Sequence, residues 1–319
     1  MNSLHTLAQI LRERGDDPRA LALVEEAHRQ APNDPVVHMR LADELRDRGR
    51  MRDAQTVLTQ VPPHCTMQSE ILRAWGWLHS ALGEYEAAQR YFAAAVERAP
   101  YEVWNQAGLV HALCNGGQAA LALPQAEAAT ARWPHVPDAW RALSRARRDL
   151  NDLDNALQAC DEGLRLDPVA PVHRLDRAEL LRRQGQFVAA CAELQQVLAV
   201  RPWQTDALRN WGAILRQQND PVAAAEKFEQ AAALGSFRAC IALSDLHRGA
   251  KRHDQAVAAA ARAKAMAEQS SDARWALVAS LRAKGANETA IGECHAALAE
   301  VPGAARFAAA LNEMQNRQP

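Results

Sequence analysis

Residues Ser69 to Glu102 read SEILRAWGWLHSALGEYEAAQRYFAAAVERAPYE. Two amphipathic helical runs are joined at Gly83 and closed by Pro100. Leu72, Trp75, Leu82, Phe92 and Ala95 recur at spacings that mark buried helical faces. Gly76 and Ala88 fall where the two helices cross, and small residues there let the backbones approach. Gly83 ends the first run, because the left-handed conformation required at that point costs glycine least. Pro100 cannot continue the second. The stretch therefore predicts an antiparallel helical hairpin.

The same unit recurs along the chain. Steps of 34 residues give starts at Met1, Pro35, Ser69, Val103, Pro137, Pro171 and Thr205; one short step of 32 leads to Phe237, and another of 34 to Ser271. The crossing position of the second helix is then Ala20, Ala54, Ala88, Ala122, Ala156, Ala190, Ala224, Ala256 and Ala290. The turn position holds Gly15, Gly49, Gly83, Gly117, Asn151, Gly185, Asn219, Lys251 and Gly285. Closing prolines stand at Pro32, Pro100, Pro134, Pro168, Pro202 and Pro302. Some units depart from the pattern. Val110 and Val278 sit where a small residue is usual, Arg177 occupies an apolar position, and the Pro35 unit closes early on Pro62-Pro63. The Phe237 unit lacks both the glycine and the proline, so distortion is expected there.

Period and positions resemble the tetratricopeptide repeat (TPR) family, with its W-x₂-L-G-x₂-Y…A-x₃-F…P pattern. The resemblance implies an all-α, right-handed superhelical solenoid: nine hairpins over residues 1–303, then a capping helix and tail over 304–319. In that last segment Phe307, Leu311 and Met314 share one face, which suits a cover for the final hairpin, since solenoid ends need a polar outer surface.

Composition narrows the function. Formal net charge is −1 in 319 residues, so no global field points to nucleic acid or a membrane surface. No apolar run approaches the roughly 18 residues of a membrane span. The first residues, MNSLHTLAQILRERGDD, read as helix and lack a signal peptide's basic start and cleavage site. Six cysteines are scattered without framework spacing, and Cys160, Cys191 and Cys294 fall on second helices as small buried hydrophobes. These features suggest a cytoplasmic address. No phosphate loop, HExxH, GxSxG or GxGxxG is present, and no histidine pairs with Cys, Asp or Glu at a metal spacing. The chain reads as a non-enzyme without cofactor or metal.

In the TPR family the first helix of each unit lines the concave wall, through its second, fifth, sixth, ninth, twelfth and thirteenth positions. Carried over, the fifth row begins His5, Met39, Arg73, Ala107, Arg141, Leu175 and Arg209. The ninth holds Gln9, Asp43, Trp77, His111, Arg145 and Glu179. The twelfth contains Arg12, Arg46, Arg148, Arg182, Arg216, Arg248 and Arg282. Twelfth-row arginines lie in last turns, where the helix dipole alone favours a cation; first-turn acids such as Asp138 have the mirror explanation. Mid-helix charges lack that explanation, which singles out Arg73, Arg141, Arg145 and Arg209. Trp77 and Trp104 fall on the groove side, while Trp75 and Trp211 fall toward the hairpin core. Small residues surround the first pair: Ala74, Ser80, Ala81, Ala107, Gly108 and Ala142. His111 and Cys114 complete the cleft. The candidate partner-binding residues are thus Arg73, Trp77, Trp104, His111, Arg141, Arg145, Arg148 and Arg209.

The function implied is a protein–protein interaction scaffold or adaptor that holds a protein or peptide segment, acidic segments included, in its groove. One version is the recognition subunit of a separate modifying enzyme. Two alternatives stay open: a self-assembling structural subunit forming a homo-oligomer, and a binder of small acidic ligands at the Trp77/His111 cleft. The register itself is testable. Ala156→Leu should overpack a helix crossing and cost about 1–3 kcal/mol in chemical denaturation; a change below about 0.5 kcal/mol would contradict it.

Overall fold

Helix ends in this protein are set by a recurring left-handed residue. In the computed structural model, which describes residues 6–8, 11, 17–268, 270–300 and 304–316, all eight predicted turn residues in the described part have positive φ. They are Gly49, Gly83, Gly117, Asn151, Gly185, Asn219, Lys251 and Gly285, with φ between 58° and 85°. Met1, His5, Gln9, Arg12, Gly15 and Pro302 lie outside the described residues.

The chain divides into two compact units, residues 1–202 and 203–319. The first contains helix Asp17–Gln30 and then five hairpins: Pro35–Asp47 with Met51–Thr59, Ser69–Leu82 with Tyr85–Arg98, Val103–Asn115 with Ala119–Arg132, Pro137–Asp149 with Leu153–Leu166, and Pro171–Arg183 with Phe187–Val200. The second contains Thr205–Gln217 with Pro221–Ala233, Phe237–Gly249 with His253–Met266, Ser271–Lys284 with Asn287–Glu300, and the final helix Ala305–Gln315. We name each hairpin by its first residue and its helices as leading and trailing. No strand occurs among the described residues. In each unit the leading helices of successive hairpins touch, as in the series Pro35, Ser69, Val103 and Pro137.

The crossings are as close as side chains allow. All nine alanines of the crossing row have zero exposure. Phe92 is also fully buried, in a cluster with Ala88 and Ala112. Its ring meets glycines on two leading helices: a Cβ at Gly76 would lie 2.9 Å from it, and one at Gly108 only 2.2 Å. Gly108 is therefore a packing residue that seats Phe92 between two hairpins, and does not belong to the groove floor. Phe228 uses Gly212 in the same way, with a would-be Cβ at 2.6 Å. Val110 and Val278 are buried without exposure, so their crossings accommodate the extra methyls.

Several expectations are corrected. The Phe237 hairpin is regular, with helices of 13 and 14 residues. Lys251 takes the left-handed turn at φ 58°; the penalty of roughly 1–2 kcal/mol is smaller than what the packed hairpin returns. The short step falls one residue in the trailing helix Pro221–Ala233 and one in the link before Phe237, where Gly235 turns at φ 90° and Ser236 caps the next helix. Trp75 and Trp211 are half-buried, and Trp75 packs from that position against the core of its hairpin. Trp75 lies on the stacked pair His79 and Tyr91; Lys227 sits over Trp211. Cys160 and Cys294 are buried, Cys191 only partly. Arg177 tolerates its apolar row because Asp161 and Glu193 take its charge at 2.7 and 2.6 Å. In the Pro35 hairpin the prolines cut the trailing helix to nine residues, followed by a 3-10 turn at Pro63–Cys65. In the final helix Phe307, Ala310 and Met314 are buried against the Ser271 hairpin.

Glycine-to-alanine changes inside a helix ordinarily stabilise by up to about 1 kcal/mol. Gly292, with open space beside it, should follow that rule. Gly108→Ala should do the reverse, losing about 1–3 kcal/mol by overpacking against Phe92, and Phe92→Leu in the same chain should recover part of the loss. Urea denaturation of the three variants checks both signs.

Candidate functional site

The leading helices of the Ser69, Val103 and Pro137 hairpins wall a cavity of about 450 Å³, within the range of ligand sites. Six of the eight candidate residues line it: Arg73 and Trp77 from the first helix, Trp104 and His111 from the second, Arg141 and Arg145 from the third. Ala107 and Ala142 leave the space between them. The helical period is the reason. Positions two, five, six and nine of a helix share one face, and the buried crossings bring three such faces side by side.

Trp77 forms a wall held from three sides. Its ring meets Phe92 edge-on at 5.1 Å and His111 at 4.7 Å, and the Arg46 guanidinium lies 5.9 Å above it. It is both groove lining and support for the core. Trp104 is 48% exposed, a free aromatic face at the rim.

The electrostatics centre on Arg145. Its Nη1 donates to His111 Nδ1. Burial, and then the Arg145 charge, lower the His111 pKa from 6.5 to about 2, so the ring is neutral. Arginine can only donate. Nδ1 is thus the acceptor of that bond, and Asn115 Nδ2 lies 2.8 Å from Nε2 on the other side of the ring. Among the described residues, no carboxylate forms an ion pair with Arg145; burial disfavours its charge, and Asp176, already held by Arg141, favours it from beyond hydrogen-bond contact. Arg141 differs, since its Nε donates to Asp176 at 2.6 Å. Arg73 reaches only the Asn105 oxygen at 3.5 Å and Met39 sulfur at 3.7 Å.

Two lining or supporting residues escape the sequence reading. Asp138, explained there by its helix start, is a cavity wall, and burial raises its carboxyl pKa. Asn105 is fully buried; its Nδ2 donates to the carbonyls of Ala95 and Ala99 at the preceding helix end, leaving its oxygen toward Arg73. The available signal was an amide in a row that is otherwise mostly apolar, Val37, Ile71, Ala139 and Ala207. Cys114 does not line the cavity. It is buried in the core, and burial pushes its thiol up to about 11. Arg148 lies in an adjoining crevice of about 10 Å³, room for one water at most, and pairs with Asp149 at 2.8 Å. Arg209 lies in the second unit and lines a different cleft.

A stack of helical hairpins with a side-chain-lined cavity on its leading helices defines a helical-repeat binding module. Profiles described as tetratricopeptide repeat match residues 1–45, 75–102, 108–171 and 175–239, more than half of the chain. The chain belongs to the tetratricopeptide repeat family, whose members serve as protein-interaction scaffolds. Among solved structures it is similar to the APC/C hetero-tetramer Cut9-Hcn1 (17% identity, TM-score 0.58), covering 93% of this chain and 59% of that one. It is also similar to a tetratricopeptide repeat protein from Parabacteroides merdae (17%, TM-score 0.54, 74% of this chain and 93% of that one) and to yeast Tom70 (12%, TM-score 0.55, 98% and 88%). At these identities the likeness is one of fold. No curated protein matches the sequence. No helix among the described residues is long and apolar enough to cross a membrane.

His111 has a consequence for stability. Between about pH 6.5 and pH 2 the unfolded chain binds a proton at this histidine that the folded chain does not, so stability falls as pH drops through that window. His111→Gln should lose less stability than the parent between about pH 7 and pH 4, measured by urea titration; equal losses would show that His111 is protonated in the folded chain.

Proposed function

We propose that this chain is an adaptor that holds a peptide segment in the Ser69–Val103–Pro137 cavity, with an acidic group of that segment seated on Arg145. The observation that carries the reading is a desolvated guanidinium whose one hydrogen-bond partner is a neutral ring. A buried cation that shares its carboxylate, Asp176, with a second arginine is costly to keep charged, and a ligand carboxylate supplies the missing charge. The unpaired Arg73 adds to the positive field, while Asp176 occupies Arg141. Trp77 and Trp104 offer stiff aromatic area for an apolar neighbour of the acid, the residue types that dominate binding energy elsewhere. An adaptor of this kind serves, for example, as the recognition subunit of a separate modifying enzyme. Six free cysteines suit a reducing compartment, and we place the adaptor in the cytoplasm.

Matched peptides carrying Glu, Gln or Lys beside a leucine test this by fluorescence anisotropy. The Glu peptide should bind best, and Arg145→Ala should weaken it about thirtyfold, equivalent to ~2 kcal/mol. Arg282→Ala, whose guanidinium Glu313 holds at 2.7 Å, should leave it unchanged. Equal binding of the Glu and Gln peptides would overturn the proposal.

A further inference from the structure

The second unit repeats the arrangement with a different charge balance. Its leading helices Thr205–Gln217, Phe237–Gly249 and Ser271–Lys284 wall a cleft of about 440 Å³. Four arginines line it: Arg209, Arg216, Arg238 and Arg248. Its two lining carboxylates are already engaged, Asp245 by Arg248 at 2.7 Å and Asp272 by Arg306 of the final helix at 2.9 Å. Arg216 and Arg238 are exposed and have no carboxylate partner among the described residues. Arg238 instead lies over the Phe237 ring at 5.6 Å. Arg209 touches Asp206 through Nη2 at 3.1 Å, while its Nε is buried without any hydrogen-bond partner. Ile241 and Trp275 give the cleft an apolar flank.

We infer that this cleft is a separate binding site for a phosphoryl group. Here two guanidiniums lack a counter-charge, and a third has an unsatisfied Nε–H. Phosphate carries close to two negative charges at neutral pH and three acceptor oxygens. It can therefore take donors from several arginines at once, including the Nε–Nη edge of Arg209. The hydroxyl of an unmodified serine supplies neither charge. This inference does not rest on the Arg145 cavity, since every residue it uses lies in the other unit.

The test is made on the full chain carrying Arg73→Ala and Arg145→Ala, which removes the carboxylate-free arginines of the first cavity. Three peptides identical except for phosphoserine, Glu or Ser beside a leucine are titrated, with inorganic phosphate as competitor. The phosphoserine peptide should bind at least fivefold more tightly than the Glu peptide, and the Ser peptide more weakly still. Adding Arg216→Ala and Arg238→Ala should weaken phosphoserine binding at least tenfold without moving the melting temperature, because both side chains are exposed. Competition by inorganic phosphate at concentrations comparable to the peptide would assign the site to a free small anion; failure to compete would assign it to a phosphopeptide. Either result keeps the phosphoryl site. Equal affinity for the phosphoserine and Ser peptides would overturn it, as would undiminished binding after the two further substitutions. Loss of all phosphopeptide binding on Arg73→Ala and Arg145→Ala alone would also overturn it, by placing the anion in the first cavity.

Discussion

The close helix crossing at an alanine is the contact on which both units depend. Each trailing helix presents a side chain no larger than a methyl to its leading helix, so the backbones approach within reach of dispersion forces along their length. Phe92 extends the principle from one hairpin to two. Its ring fills the space that Gly76 and Gly108 leave open on consecutive leading helices, and it holds Trp77 edge-on from below. The position of the Trp77 wall is thus a consequence of core packing one layer beneath it. A groove built this way is pre-organised, and pre-organisation lowers the entropy lost on binding.

Many charges on the leading helices are paired within their own helix. Arg46 with Asp43, Arg182 with Glu179, Arg209 with Asp206 and Arg248 with Asp245 are pairs three residues apart. Pairs of that kind contribute little stability each, but they neutralise the groove locally. A guanidinium outside such a pair is therefore informative. Arg145 instead contacts His111 on the neighbouring hairpin, and burial together with the arginine charge keeps the imidazole neutral. Arg141 finds its acid on the next hairpin, in Asp176. The guanidiniums without a carboxylate partner among the described residues, Arg73 and Arg145 in the first cavity and Arg216 and Arg238 in the second cleft, mark the two sites.

The repeat register, the helix starts and the turn positions are determined by the sequence, because they follow from local sterics repeated at a fixed period. A left-handed turn, a proline that stops a helix and an alanine at a crossing each act within a few residues. Even Lys251 obeys the register against its own preference, since the tertiary contacts of one hairpin outweigh a single strained φ. The groove face was legible for the same reason: six of eight candidate residues share one cavity because helical periodicity fixes which side chains point together. The tertiary structure alone decided the rest. It gave Gly108 to Phe92 and Cys114 to the core, turned Asp138 into a cavity wall and sent Arg209 to a different cleft. It also chose partners 34 or 35 residues apart, His111 for Arg145 and Asp176 for Arg141. Such pairings depend on the distance and angle between neighbouring hairpins, which a periodic pattern within one helix does not encode.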